Sequence, residues 1–106
     1  MSQQRVYWTP VAIESLKATK KFISKQWNNE VVEYFLDLID KRILQIQSNP
    51  EIAPLIPNTQ FRKLLIHRNV SLFYVNIGKL TKVLLIWDNR QNPIDLADKL
   101  TNTNIT

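Results

Sequence analysis

Hydrophobic periodicity changes once along this chain, and it does so at a segment too rich in proline to be helix or sheet. Asn49-Pro50-Glu51-Ile52-Ala53-Pro54-Leu55-Ile56-Pro57 carries three prolines, each lacking an amide donor and restricting the residue before it. Regular helix and central strand are excluded there. Before this segment apolar residues recur at helical spacing; after it they alternate or run together as strands do. A chain of 106 residues holds one core comfortably and is too short for two. The expectation is one α+β domain, helices first and an antiparallel sheet after them.

Val6-Tyr7-Trp8 is a short β-prone run, and Thr9-Pro10 ends it with a helix start, threonine as N-cap and proline at the first helical position. Ala12, Ile13, Leu16, Thr19, Phe22, Ile23 and Trp27 then recur at helical spacing, so Pro10 to Gln26 is expected to be an amphipathic helix. Its other side carries Lys17, Lys20, Lys21 and Lys25 as one basic stripe. Such a stripe is either a solvated face or a contact for a polyanion. Asn28-Asn29 breaks the helix and caps a second, about Glu30 to Gln47, in which Val31, Val32, Phe35, Leu38, Ile39, Ile43 and Ile46 form a broad apolar stripe. So short a connection makes the two helices an antiparallel hairpin, expected on one face of the sheet.

Beyond the prolines, Phe61 to Ile66, Val70 to Ile77 and Thr81 to Trp87 are three β-rich runs at close intervals. The second alternates, giving a strand with two distinct faces. Gly78, the only glycine, lies with Lys79 where a hairpin turn needs positive φ. Val83-Leu84-Leu85-Ile86-Trp87 is apolar throughout, as suits an interior strand covered on both sides. Asp88-Asn89-Arg90-Gln91-Asn92-Pro93 closes it, and Ile94 to Leu100 can add a short helix. The domain is read as residues 1–96, with 97–106 as a polar C-terminal tail.

Composition narrows the chemistry. With no cysteine, disulfides, thiolate catalysis and sulfur-ligated zinc are excluded, and a lone histidine, His67, cannot build an imidazole-rich metal site. The nine acidic residues show no calcium-loop spacing, and one glycine cannot make a phosphate-cradling loop. No cofactor is implied. The N-terminus lacks a basic-then-apolar leader, and no apolar stretch has the length to cross a bilayer, so a cytoplasmic location without membrane attachment is expected. Fourteen Lys and Arg against nine Asp and Glu give a formal +5, which favours acidic or polyanionic partners.

The order strand, helical hairpin, proline-bearing loop, three-stranded meander and polar turn resembles the RelE/ParE superfamily of bacterial type II toxins. Phe61-Arg62-Lys63-Leu64-Leu65, Val70-Ser71-Leu72-Phe73-Tyr74-Val75 and the ending Val83-Leu84-Leu85-Ile86-Trp87-Asp88-Asn89-Arg90-Gln91-Asn92-Pro93 carry the likeness, which spans Val6 to about Leu96. The resemblance implies a toxin of a toxin-antitoxin system, held in check by a cognate antitoxin. It also implies growth inhibition, either by cleaving mRNA on the ribosome or by blocking DNA gyrase. A homodimer or a toxin-antitoxin heterotetramer are the assemblies open to it. An enzyme of this kind would be a ribosome-dependent endoribonuclease working without metal. The alternative is a degenerate toxin fold kept as an interaction module.

RNA cleavage by 2′-hydroxyl attack needs a proton acceptor, a proton donor and a cation for the charge of the transition state. Arg62, His67, Arg90 and Tyr74 are the candidate catalytic residues, and Lys63 and Arg68 join Arg62 and Arg90 as candidate nucleic-acid or target contacts. Arginine suits phosphate because its planar fork gives paired hydrogen bonds. Each residue has a plainer reading: His67 as a solvated turn residue, Tyr74 as a packing residue, Arg90 as a salt bridge to Asp88 or Asp95. Trp8, Trp27 and Trp87 are read as core or interface fillers rather than base-stacking platforms. Ser71 stands where nuclease members commonly place an arginine, which tilts the reading towards the gyrase-blocking branch. A nuclease further requires Arg62, Lys63, His67 and Arg90 to converge on one concave patch.

Overall fold

In the computed structural model, which describes residues 4–26, 28–90 and 93–101, Thr9 caps the first helix by accepting a hydrogen bond from the Ala12 amide at 3.1 Å. That helix, α1, spans Pro10–Gln26 and follows a short strand β1, Arg5–Trp8. Asn28 caps the next in the same way, its side chain accepting from the Val31 amide at 3.1 Å, and α2 runs Asn29–Ser48. Then come β2, Arg62–His67; β3, Val70–Ile77; β4, Leu80–Asp88; and α3, Pro93–Thr101. Both expected helices form within two residues of their expected ends. Trp27, Gln91, Asn92 and residues 102–106 of the expected tail lie outside the described residues.

The sheet order is β1-β4-β3-β2. Its last three strands form the expected antiparallel meander, with Gly78 at φ 59° in the β3–β4 turn. The first strand departs from an all-antiparallel sheet: β1 runs parallel to β4, Arg5 opposite Leu80 and Trp8 opposite Val83. The helical hairpin, the proline-rich loop and strands β2 and β3 all lie between these two parallel strands in the chain, ample length for the crossover a parallel pair needs, so the sheet is mixed and β4 is interior.

Both helices pack on one face. Ala12 of α1 and Phe35, Ile39 and Ile46 of α2 are buried against Val70, Leu72, Tyr74, Val83 and Ile86 of the sheet. Ile13 and Phe22, placed by spacing within the apolar stripe of α1, fall at its margins and are exposed. The second face holds its own cluster of Phe73, Val75, Leu84, Leu85 and Trp87, closed by Leu100 of α3. Helix α3 therefore runs to Thr101, past residue 96 where the domain was expected to end, because Leu96 and Leu100 stand one turn apart over that face.

A bulge explains why β4 reads as an unbroken apolar run. Phe73 pairs with Leu85 and Tyr74 with Val83, which leaves Leu84 as an extra residue. Leu84 and Leu85 consequently both face the second cluster, and Ile86 returns to the helices. Strand β1 ends opposite Val83, so α1 takes over the edge of β4 beyond it. The Ile86 amide donates to Ser15 Oγ at 2.9 Å, and that hydroxyl donates to the Ala12 carbonyl at 2.8 Å. Thr9 Oγ1 donates to the Val83 carbonyl at 3.0 Å.

Candidate functional site

The candidate residues divide between two ends of the sheet. Arg62 and Tyr74 are cross-strand partners at one end, and His67 lies five positions further along β2, roughly 17 Å of strand away. The far end gathers His67, the turn Arg68-Asn69 and the exit of β4: Val70 pairs with Asp88, and the Asn89 amide donates to the Asn69 carbonyl at 2.5 Å. The convergence that RNA cleavage would require does not occur.

At the first end the polar groups are occupied with the proline-rich loop. The Tyr74 hydroxyl donates to the Pro50 carbonyl at 2.8 Å and accepts from the Ala53 amide at 3.4 Å. Arg62 donates to the Ala53 carbonyl at 2.6 Å, and Asn76 donates to the Pro50 carbonyl at 2.8 Å. The loop pairs with β2 only at the isolated bridge of Leu55 with Arg62, and these side-chain bonds supply partners for the Pro50 and Ala53 carbonyls. Tyr74 is fully buried. Burial raises its pKa above 10, against smaller lowering effects from the Ala53 amide and the Arg62 charge, so the phenol is a poor proton shuttle near neutrality. Lys63 points to the other face of the sheet, its ammonium 5.9 Å from the centre of the Phe73 ring.

Two grooves flank α1 and meet at the second end, one running from Pro10 to Phe22 and the other along Thr19 to Ile23. One, of about 860 Å³, lies between α1 and the edge of β4 beyond β1; the other, of about 550 Å³, is bounded by α1, α2 and the β2–β3 turn. Thr19, Phe22, Asp88 and Arg90 line both, so Arg90 stands on the partition. His67 and Arg68 line the smaller groove and are exposed. His67 is the last residue of β2, beside a bulge, and the turn itself is Arg68-Asn69. Tyr34, 58% exposed, and Phe22, 42% exposed, supply aromatic surface beside these charges. Tyr34 escaped the sequence reading; the available signal was an aromatic ring lying off the apolar stripe of α2.

Of the two readings of Arg90, the structure shows the salt bridge, and its partner is Asp88. The guanidinium grips the Asp88 carboxylate at both oxygens, at 3.0 and 2.6 Å, and lies 5.6 Å from the centre of the Phe22 ring. The hydrogen bonds from Arg90 hold the Asp88 carboxyl below the ordinary carboxylate range against the opposing effect of burial. Because the folded value is depressed, the pair's contribution to stability is present above the unfolded value of about 3.9 and lost as pH falls through the folded one. In Arg90→Gln, Asp88 is expected to titrate at higher pH than in the wild type, read by carboxyl carbon NMR. An unchanged titration would show that the arginine does not set it.

Ser71 is fully buried, its hydroxyl accepting from the Asn89 amide group at 3.0 Å. It braces the exit turn and lines neither of the two grooves. Trp87 is 4% exposed in the second cluster and Trp8 packs against the first, both as fillers.

A family model described as the ParE toxin of type II toxin-antitoxin system, parDE, matches residues 6–93. Among solved structures the chain is similar to one titled the chromosomal ParDE TA system from P. aeruginosa. The TM-score is 0.69 and the identity 19%, over 80% of this chain and 95% of that one. At that identity the likeness is one of fold. No curated protein matches the sequence.

Proposed function

Because the chain belongs to the ParE toxin family of type II toxin-antitoxin systems, we propose that it arrests growth by binding DNA gyrase in the cytoplasm, cutting no RNA, and that a cognate antitoxin neutralises it. One observation carries the choice of target: Arg62 and Tyr74 are spent on the proline-rich loop, about 17 Å of strand from His67. Acid-base cleavage of one nucleotide needs its proton donor, proton acceptor and cation within hydrogen-bond reach together. Binding inhibition makes no such demand. It needs a rigid surface with exposed aromatic and cationic groups, and Phe22, Tyr34, Arg68 and Arg90 supply one at the far end of the sheet.

The antitoxin is the second partner in this reading. The two grooves along α1 suit an amphipathic segment that orders on binding and brings acidic side chains to a toxin of formal charge +5. Inducing the toxin without its antitoxin should stop growth while primer extension on cellular mRNA finds no new ends. Translation-dependent cleavage would overturn the gyrase reading and restore the endoribonuclease one.

A further inference from the structure

The lysine stripe of α1 is absorbed by none of these roles. Lys17, Lys21 and Lys25 are exposed and Lys20 half-exposed, on the side of the helix opposite the buried Ala12 and Thr19 and beside the groove-lining positions Glu14, Ala18 and Phe22. Charge in the hairpin is segregated. Helix α1 carries these four lysines against the single acid Glu14, whereas α2 carries Glu30, Glu33, Asp37 and Asp40 against Lys41 and Arg42. A face charged only for solubility needs no such sorting, and lysines serving to join the helices would pair with the acids of α2. Among the described residues they do not. The hairpin's ion pair is Lys17 with Glu14 within α1, at 3.8 Å and with both side chains exposed, which contributes little. Among the described residues Lys20, Lys21 and Lys25 make no ion pair.

We infer that this stripe is a contact surface for the phosphate backbone of duplex DNA. From Lys17 to Lys25 the helix rises about 12 Å, a length of duplex axis bearing roughly seven phosphate charges, so several lysines meet phosphates at once along a straight helix. Along the stripe this face also carries Ser24 and, ahead of Lys17, Ile13 and the Glu14 that pairs with Lys17, and it holds no aromatic ring. Proteins that hold single strands stack bases on aromatic side chains; backbone contact to a duplex requires only charge and a rigid line of it. The choice of DNA among duplexes rests on the gyrase reading, in which the toxin's target is itself engaged with DNA.

The test measures binding of the full chain to a random-sequence DNA duplex by fluorescence anisotropy across a salt series, with no gyrase present, so that its outcome is separate from that of the gyrase reading. The variant Lys20→Gln/Lys21→Gln/Lys25→Gln is compared with a control of equal charge loss, Arg5→Gln/Lys41→Gln/Lys79→Gln, both checked for wild-type helicity by circular dichroism. Each phosphate contact removed should lower the slope of log affinity against log salt by about 0.9. The stripe variant should therefore lose roughly two to three units of slope and the control variant much less. Equal losses in the two variants, an unchanged slope in the stripe variant, or tighter binding of single-stranded RNA of the same length than of the duplex would each overturn the inference.

Discussion

Truncating Tyr74 to alanine is expected to cost roughly 3–5 kcal/mol of folding stability, the largest effect of any single side chain considered. The ring is fully buried in the helix-side cluster with Leu72, Val83 and Ile46, and its removal leaves a cavity that a four-stranded sheet and two helices can close only partly. Its hydroxyl is also the hub of the proline-rich loop, bonded to both Pro50 and Ala53. Tyr74→Phe isolates that second contribution. The Pro50 carbonyl keeps its bond from Asn76, but the Ala53 amide loses its partner, so a loss of about 1–3 kcal/mol is expected. Urea denaturation of both variants gives the two figures. Each variant should remain toxic in proportion to its folded fraction. A Tyr74→Phe protein as stable as the wild type but harmless to cells would make the hydroxyl a functional group.

The residues legible in the sequence were those whose role is local. The caps at Thr9 and Asn28, the apolar stripe of α2, the alternation of β3 and the positive φ at Gly78 depend on neighbours a few positions away, and all are present as read. What escaped depends on distant partners. Nothing near Val6-Tyr7-Trp8 encodes that its hydrogen-bonding partner is a parallel strand more than seventy residues later. The unbroken apolar run of β4 suggested cover on both faces, correctly, but conceals the extra residue Leu84 that shifts the register.

The candidate site shows the same division. Arg62 and Tyr74 stand out in the sequence for their chemistry, yet their hydrogen bonds go to Pro50 and Ala53, reached only when the loop folds back over the sheet. Arg90 was open to two readings, and the proximity of Asp88 in the chain made the salt bridge available before any tertiary fact. Phe22 fitted the helical spacing of a core residue. It sits at the margin of the stripe, where one position of rotation decides between the core and the groove shared with Arg90.

The proposal that growth arrest proceeds through gyrase meets its most direct test with purified components. Supercoiling of relaxed plasmid by gyrase is followed as toxin is added, with the same toxin preincubated with its antitoxin in a parallel series. A binding inhibitor needs no turnover, so inhibition should reach completion near stoichiometric toxin if the complex is tight, should disappear with antitoxin, and should survive His67→Ala, which removes a proton-transfer candidate from an exposed strand end. Relaxed plasmid that stays relaxed under free toxin is the predicted result. Full supercoiling at a large excess of folded toxin would contradict it, and would leave mRNA cleavage or an inactive interaction module to be decided by whether the same protein arrests growth.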